Sequence, residues 1–209
     1  MLSQKLKNAY FAINRYAVLP NTLRSRWRYR NPPASGLYLH LGCGANPIEG
    51  MINVDGNMQR SAVWLDLRNP LPFPDESAKV VYCSHVLEHL FPEDAMALLR
   101  EMRRVLRPDG VIRLATPAME HALKIARGEA KCTFPRSYQD PLAQAIEYLF
   151  CQSQHKYGYS FSLIEEFARD AGFSRVEDYG ATHGVAPKSY DHLVLGNEPE
   201  GSLVVELRR

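Results

Sequence analysis

The chain has 209 residues, 45% hydrophobic, 23% charged and 10% aromatic, which suits one globular domain with appendages and excludes a collagen-like, coiled-coil or largely disordered protein. No stretch reaches the ~20 apolar residues of a membrane span, the opening segment lacks the unbroken apolar core of a secretory signal, and Cys43, Cys83, Cys132 and Cys151 form no C-x-x-C pair, so reduced thiols and a cytoplasmic setting are expected. The net charge of +2 is unevenly shared: residues 1–30 hold Lys5, Lys7, Arg15, Arg24, Arg26, Arg28 and Arg30 without an acid, whereas the other 179 residues hold 18 basic and 23 acidic side chains.

Leu2, Leu6, Ala9, Tyr10, Ile13 and Ala17 recur at helical spacing with lysines between them, which predicts an amphipathic helix ending before Pro20. The run Asn31-Pro32-Pro33-Ala34-Ser35-Gly36 reads as a linker, so 1–30 is expected to be a basic arm or lid and 31–209 a single domain. Leu37-Tyr38-Leu39-His40-Leu41 predicts a first strand leading into Gly42-Cys43-Gly44. Further strands are expected at 52–55, at 63–65 ending on Asp66, at 79–83 and at 111–116. Between the last two, Pro92 opens a helix with Ala95, Leu98, Leu99, Met102, Val105 and Leu106 on one stripe, stopped by an Arg107-Pro108-Asp109-Gly110 turn. Helical patterns follow at 119–127 and 142–151. Ser162-Leu163-Ile164-Glu165 resembles a capping box, Gly172 closes the helix it starts, and strands at 175–178 and 202–207 complete the chain. Strands alternating with helices predict an α/β fold with a mostly parallel sheet.

In such a sheet a ligand lies at the carboxyl ends of the strands, where Gly42-Cys43-Gly44 falls. Its glycines allow a tight turn and expose backbone N–H groups, although an ordinary strand-end turn would look alike. A dinucleotide fingerprint wants a third glycine opening a helix; Pro47 stands there, and the acidic residue arrives early, at Asp55. A ligand with an amino acid at one end and a nucleoside at the other fits better: Asp55 can accept from ribose hydroxyls and Asp66 from an adenine amino group. A turn aspartate before Gly56 and a capping aspartate are the plainer readings of the two.

The ordered series Leu39-His40-Leu41-Gly42-Cys43-Gly44, Asn53-Val54-Asp55, Asp66-Leu67-Arg68 with Leu71-Pro72-Phe73-Pro74-Asp75, Ser84-His85-Val86-Leu87-Glu88-His89-Leu90 and Arg104-Val105-Leu106-Arg107-Pro108-Asp109-Gly110 resembles the class I S-adenosylmethionine-dependent methyltransferases, in the type 11 branch. The resemblance implies a Rossmann-like sheet with an antiparallel C-terminal strand and helices on both faces. It also implies S-adenosyl-L-methionine as cofactor: Gly42, Cys43 and Gly44 on its methionine portion, Asp55 on the ribose, Asp66 and Leu67 beside the adenine, and Ser84 and His85 on the floor of the methyl-transfer site.

A competing reading is a zinc peptidase, because His85-Val86-Leu87-Glu88-His89 matches H-x-x-E-H and, on a helix, His85 and His89 would share a face. The motif follows an apolar strand and has no evident third ligand, so no metal is expected. His40 reads as a packed core imidazole. His121, His183 and His192 have no identifiable partners, and His155 is either a surface-loop residue or, with His85, a catalytic base. No Asn/Asp-Pro-Pro-aromatic run and no Pro-Cys pair points to nucleic-acid bases. The expected acceptor is a hydroxyl of a small molecule or glycoconjugate, and a cofactor-binding module without catalysis is the alternative. The basic arm is expected to be a lid over the acceptor site burying Leu2, Leu6, Tyr10 and Ile13, or an anchor on an anionic membrane surface. A nucleic-acid contact and an organelle transit peptide are further readings of it.

Overall fold

The computed structural model describes residues 13–58, 61–132, 138–179, 188–196 and 198–209; His183 and most of the predicted N-terminal helix lie outside them. In chain order the elements are α1 (Leu19–Arg28), β1 (Leu37–Leu41), β2 (Ile52–Asp55), β3 (Val63–Trp64), β4 (Ala78–Ser84), a 3-10 turn (Leu87–His89), α2 (Pro92–Val105), β5 (Leu106–Pro117), α3 (Met119–Ala126), α4 (Pro141–Phe150), α5 (Phe161–Asp170), β6 (Arg175–Asp178), β7 (Lys188–Tyr190), β8 (Leu193–Leu195) and β9 (Ser202–Arg208). Seven strands form one sheet in the order β3-β2-β1-β4-β5-β9-β6. The pairs from β3 to β5 are parallel, whereas β9 runs antiparallel to both β5 and β6. The fold is thus the expected Rossmann-like α/β sheet. Chain order reverses between β1 and β4, so the turns after these two strands open into the crevice where such sheets take ligands.

Central parallel strands are covered on both faces and read as apolar runs. In β1, Leu37, Leu39 and Leu41 are buried, and the buried His40 donates from Nδ1 to Asn53 Oδ1 at 3.0 Å, the packed imidazole expected there. α2 lays Ala95, Leu98, Leu99, Met102 and Val105 into the core, starts on Pro92 with Glu93 and Asp94, and ends on Arg103 and Arg104, which suits its dipole. The Arg104 guanidinium donates to Glu101, Asp75 and the carbonyls of Leu71 and Phe73, which fixes the 71–75 loop.

Several local expectations change. The helix through residue 17 breaks at Val18, before Pro20 as expected, but Pro20 then lies in the first turn of a further helix, α1. The 107–110 turn is instead a bulge within β5. Leu106 pairs with Ala78 and Val111 with Val80, so 107–110 stand opposite Lys79 alone, and Asp109 takes bonds from Lys79 and Arg107. The N-cap of α5 is Ser160, which accepts from the Leu163 N–H, and not Ser162. The β7–β8 hairpin was not foreseen. It brings Lys188 and Tyr190 onto the fully buried Glu206 of β9, which also faces the fully buried Arg113 of β5 at 3.5 Å. Burial raises the Glu206 pKa, but the Lys188 and Tyr190 hydrogen bonds outweigh it and leave the carboxyl below its ordinary value.

Candidate active site

The turn after β1 is built for close approach. Gly42 has φ 71°, and a Cβ on it would stand 2.2 Å from Val86 Cγ2, so only glycine lets this turn meet the turn after β4. Gly44 has φ 50°, yet a Cβ there would meet nothing within 4 Å. Its bare backbone borders open space, a place where a ligand can lie against the chain. The Gly44 N–H donates to Asp55 Oδ2 at 2.8 Å, and the Asn57 N–H donates to Asp55 Oδ1 at 2.7 Å. The half-buried Asp55 thereby links the ends of β1 and β2, and each carboxylate oxygen keeps a lone pair for a further donor. Burial, then the Asp55 charge, pushes the Cys43 thiol up to about 11, which keeps it neutral.

Asp66 is buried and bound by Arg68 through Nε (2.9 Å), Nη2 (2.6 Å) and the backbone N–H (3.0 Å), with Leu67 between them. The arm docks beside this end of the crevice. Asn14 donates to the Gly56 carbonyl, Asn21 to that of Trp64, and Asn69 to that of Arg15, while Val18 is wholly buried in the core. Among the described residues, the buried face of the arm is Asn14, Val18, Thr22 and Ser25. Ile13, expected to be buried, is 67% exposed, as are Tyr16 (72%), Leu23 (66%) and Trp27 (69%).

At the end of β4, Ser84 Oγ donates to Glu198 Oε2 at 2.8 Å and the Tyr82 hydroxyl to Glu198 Oε1 at 2.6 Å. His85 is held in the left-handed region (φ 53°), uncommon for a residue with a Cβ and a mark of a constrained site. Its Nδ1 lies 3.2 Å from Glu88 Oε1 and its Nε2 3.1 Å from Ser202 Oγ. Burial lowers the His85 pKa, but the Glu88 hydrogen bond and charge, with that of Glu198, leave it raised overall. Because 87–89 form a 3-10 turn and not an α-helix, His85 and His89 do not share a face as the peptidase reading requires.

His155 is no surface-loop residue. It is buried, donates from Nδ1 to the Leu149 carbonyl at 2.8 Å, and packs edge-on against His89 with ring centroids 4.9 Å apart. Burial holds its pKa below the usual value. His121 is also buried, against Tyr148, and His192 meets Tyr38 edge-on. The structure thus joins the Gly42–Gly44 turn to Asp55, keeps Asp66 and Leu67 apart from them beside Arg68, puts His85 and His155 beside Glu88, and ties Ser84 to Glu198. Glu88, Glu198 and Tyr82 were missed. Only Glu88 carried a signal, within H-x-x-E-H. A cleft of about 520 Å³ lined by Met119, Phe150, Lys156, Tyr157, Gly158, Ser160 and Leu163 lies just past β5.

Comparison with known proteins agrees with this geometry. Residues 39–114 match the family model of a methyltransferase domain. Among solved structures the fold is similar to a SAM-dependent methyltransferase from Archaeoglobus fulgidus (TM-score 0.51, 16% identity, 90% of this chain and 92% of that one). It is equally similar to an S-adenosylmethionine-dependent methyltransferase from Mesorhizobium loti (0.51, 16%, 88% and 98%). A third is the complex of a putative methyltransferase with the Haloferax volcanii Trm112 methyltransferase activator (0.51, 16%, 90% and 88%). No curated protein matches in sequence. Sheet, strand-end glycine turn and matched segment together define a class I methyltransferase fold. Residues 39–114 therefore carry a methyltransferase domain, in a fold shared with S-adenosylmethionine-dependent methyltransferases, which supports an enzyme with S-adenosyl-L-methionine as its cofactor.

Proposed function

We propose that this methyltransferase acts on a hydroxyl of a small molecule or glycoconjugate. The observation that carries the reading is His85. A hydroxyl, unlike an amine or thiolate, needs a base to become a nucleophile, and His85 has the parts of one. Glu88 receives its Nδ1–H, which leaves Nε2, now beside Ser202, as the nitrogen that can take a proton. The bound cofactor supplies a methyl group on a sulfonium leaving group. The chain's own task is orientation: the bare backbone at Gly44 and the remaining lone pairs of Asp55 are suited to hold the cofactor, Asp66 and Leu67 border its nucleoside end, and the 520 Å³ cleft admits the acceptor. His155 donates from Nδ1 to the Leu149 carbonyl and stands beside Glu88, where it would assist His85. Transfer of labelled methyl to a panel of hydroxyl, amine and thiol acceptors tests the reading. Hydroxyl products whose formation falls by about 10²–10⁴-fold in His85→Ala are expected; products methylated only at nitrogen or sulfur, or a variant of unchanged rate, contradict it.

Residues 31–209 form the catalytic body in this reading, and the arm adds a place of action. Ile13, Tyr16, Leu23 and Trp27 line the solvent side of the arm, interleaved with Arg15, Arg24, Arg26, Arg28 and Arg30. This combination suits an anionic membrane surface, with apolar rings in the interface and guanidinium groups among the headgroups. Among the described residues no helix is long and apolar enough to cross a membrane.

A further inference from the structure

Glu88 is 1% exposed, and its Oε2 has no hydrogen-bond partner. A carboxylate oxygen in that state has lost its hydration and gained nothing in return, so native folds rarely leave one without a reason. Two imidazoles stand beside it: one ligand atom each from Glu88, His89 and His155 lies within 4.8 Å of the others. Ligands at about 2.0–2.1 Å in a tetrahedral shell are about 3.3–3.4 Å apart, so the three side chains draw together slightly on taking an ion.

Both imidazoles are oriented for the purpose. His155 Nδ1 lies 2.8 Å from the Leu149 carbonyl, and His89 Nδ1 lies 3.1 Å from the Gln154 carbonyl. A carbonyl can only accept, so the hydrogen-bond partners assign each proton to Nδ1 and make Nε2 the ligand atom each ring would offer. A metal-ligating histidine is positioned in this way, its other nitrogen donating to a carbonyl behind it. The backbone brings the two segments together as well, since the Lys156 N–H (2.6 Å) and Tyr157 N–H (3.3 Å) both donate to the Glu88 carbonyl.

We propose that Glu88, His89 and His155 bind one divalent first-row transition-metal ion, joining the turn after β4 to the segment that enters the acceptor cleft. Two imidazoles and a carboxylate suit Zn²⁺, Co²⁺, Fe²⁺ or Mn²⁺ better than Ca²⁺ or Mg²⁺, and three protein ligands leave a coordination position open. The site departs from the expectation of no metal, which lacked a third ligand because His155 is remote in sequence. It also differs from the peptidase arrangement: His85 bonds Glu88 Oε1 and Ser202 and is not a ligand, whereas Glu88 is one.

Full-length protein freed of metal by chelator decides the matter, titrated with Co²⁺ and Zn²⁺ and read by elemental analysis after dialysis and by the visible spectrum of the cobalt form. One ion per chain is expected, with cobalt bands displaced by Zn²⁺. Affinity should fall at least tenfold in His89→Ala and in His155→Ala and stay unchanged in His192→Ala. His89 is exposed, so its variant keeps the test valid if His155→Ala fails to fold. Binding below one equivalent at micromolar metal, or binding that survives His89→Ala, overturns the site. Metal is measured directly, so this result is independent of which acceptor the enzyme methylates.

Discussion

Gly42 and Gly44 stand two residues apart, both at positive φ, and serve different ends. A methyl group on Gly42 would overlap Val86 Cγ2, so Gly42→Ala should separate the turns after β1 and β4 and cost about 1–3 kcal/mol of stability, as overpacking does. Gly44→Ala meets no atom and bears only the left-handed strain of about 1–2 kcal/mol, but its methyl group enters the space assigned to the cofactor. Urea denaturation and calorimetry with the demethylated cofactor should therefore separate them: loss of stability leads in the first variant, loss of binding in the second. His40 offers a pH test. Burial lowers its pKa below the ordinary imidazole value of about 6.5, against the opposing effects of Asn53, Asp55 and Glu198. The unfolded chain then binds a proton that the folded chain refuses, so this contribution is constant above about pH 6.5 and stability falls as pH drops through that value toward the folded pKa. His40→Gln, which keeps a donor for Asn53, should lose less stability than wild type between about pH 7 and pH 5 in urea titrations.

At the scale of elements, the β7–β8 hairpin and β9 are held by charge. Arg113 and Glu206 are both fully buried, and Arg113 keeps two unpartnered nitrogens even with the carboxylate present. Glu206→Ala leaves that guanidinium uncompensated and should destabilise by about 3–5 kcal/mol in denaturant unfolding; a change under about 1 kcal/mol would show that water already solvates it. The arm is the other element with a definite test. Full-length protein should co-sediment with anionic vesicles at low salt and release at high salt, since each basic residue near the surface contributes about 1 kcal/mol and is screened within a Debye length. Trp27→Ala with Leu23→Ala should weaken binding without unfolding, because both side chains are exposed. Retention of the double variant, or absence of binding by wild type, removes the membrane from the account. The arm also shows why helical periodicity is an incomplete guide. Most of the predicted stripe lies outside the described residues, and in the described part the docking face is largely polar, because Asn14 and Asn21 meet backbone carbonyls at the β2–β3 edge, an acceptor row invisible to local sequence.

Across the whole molecule, what could be read early was what is local. β1, β2, β4, α2 and the glycine turn announce themselves through apolar runs, a proline start and strand-end glycines, and they include the parts proposed to carry the cofactor. Glu198 meets Tyr82 and Ser84 from more than a hundred residues away, and Glu206 meets Arg113 across 93. No spacing rule reaches that far, so the residues of the proposed acceptor half came together only in three dimensions. His155 is the same case: its loop composition is polar, yet the fold folds it in behind Glu88. The central claim, that the crevice between the Gly42–Gly44 turn and Asp55 holds S-adenosylmethionine, meets its most direct test in titration calorimetry of the demethylated cofactor into wild type and Asp55→Ala. The account predicts one site per chain, weakened in the variant by about 1.5–3 kcal/mol, the loss of hydrogen bonds to a charged group. Absence of binding by wild type, or equal affinity in the two proteins, would contradict it.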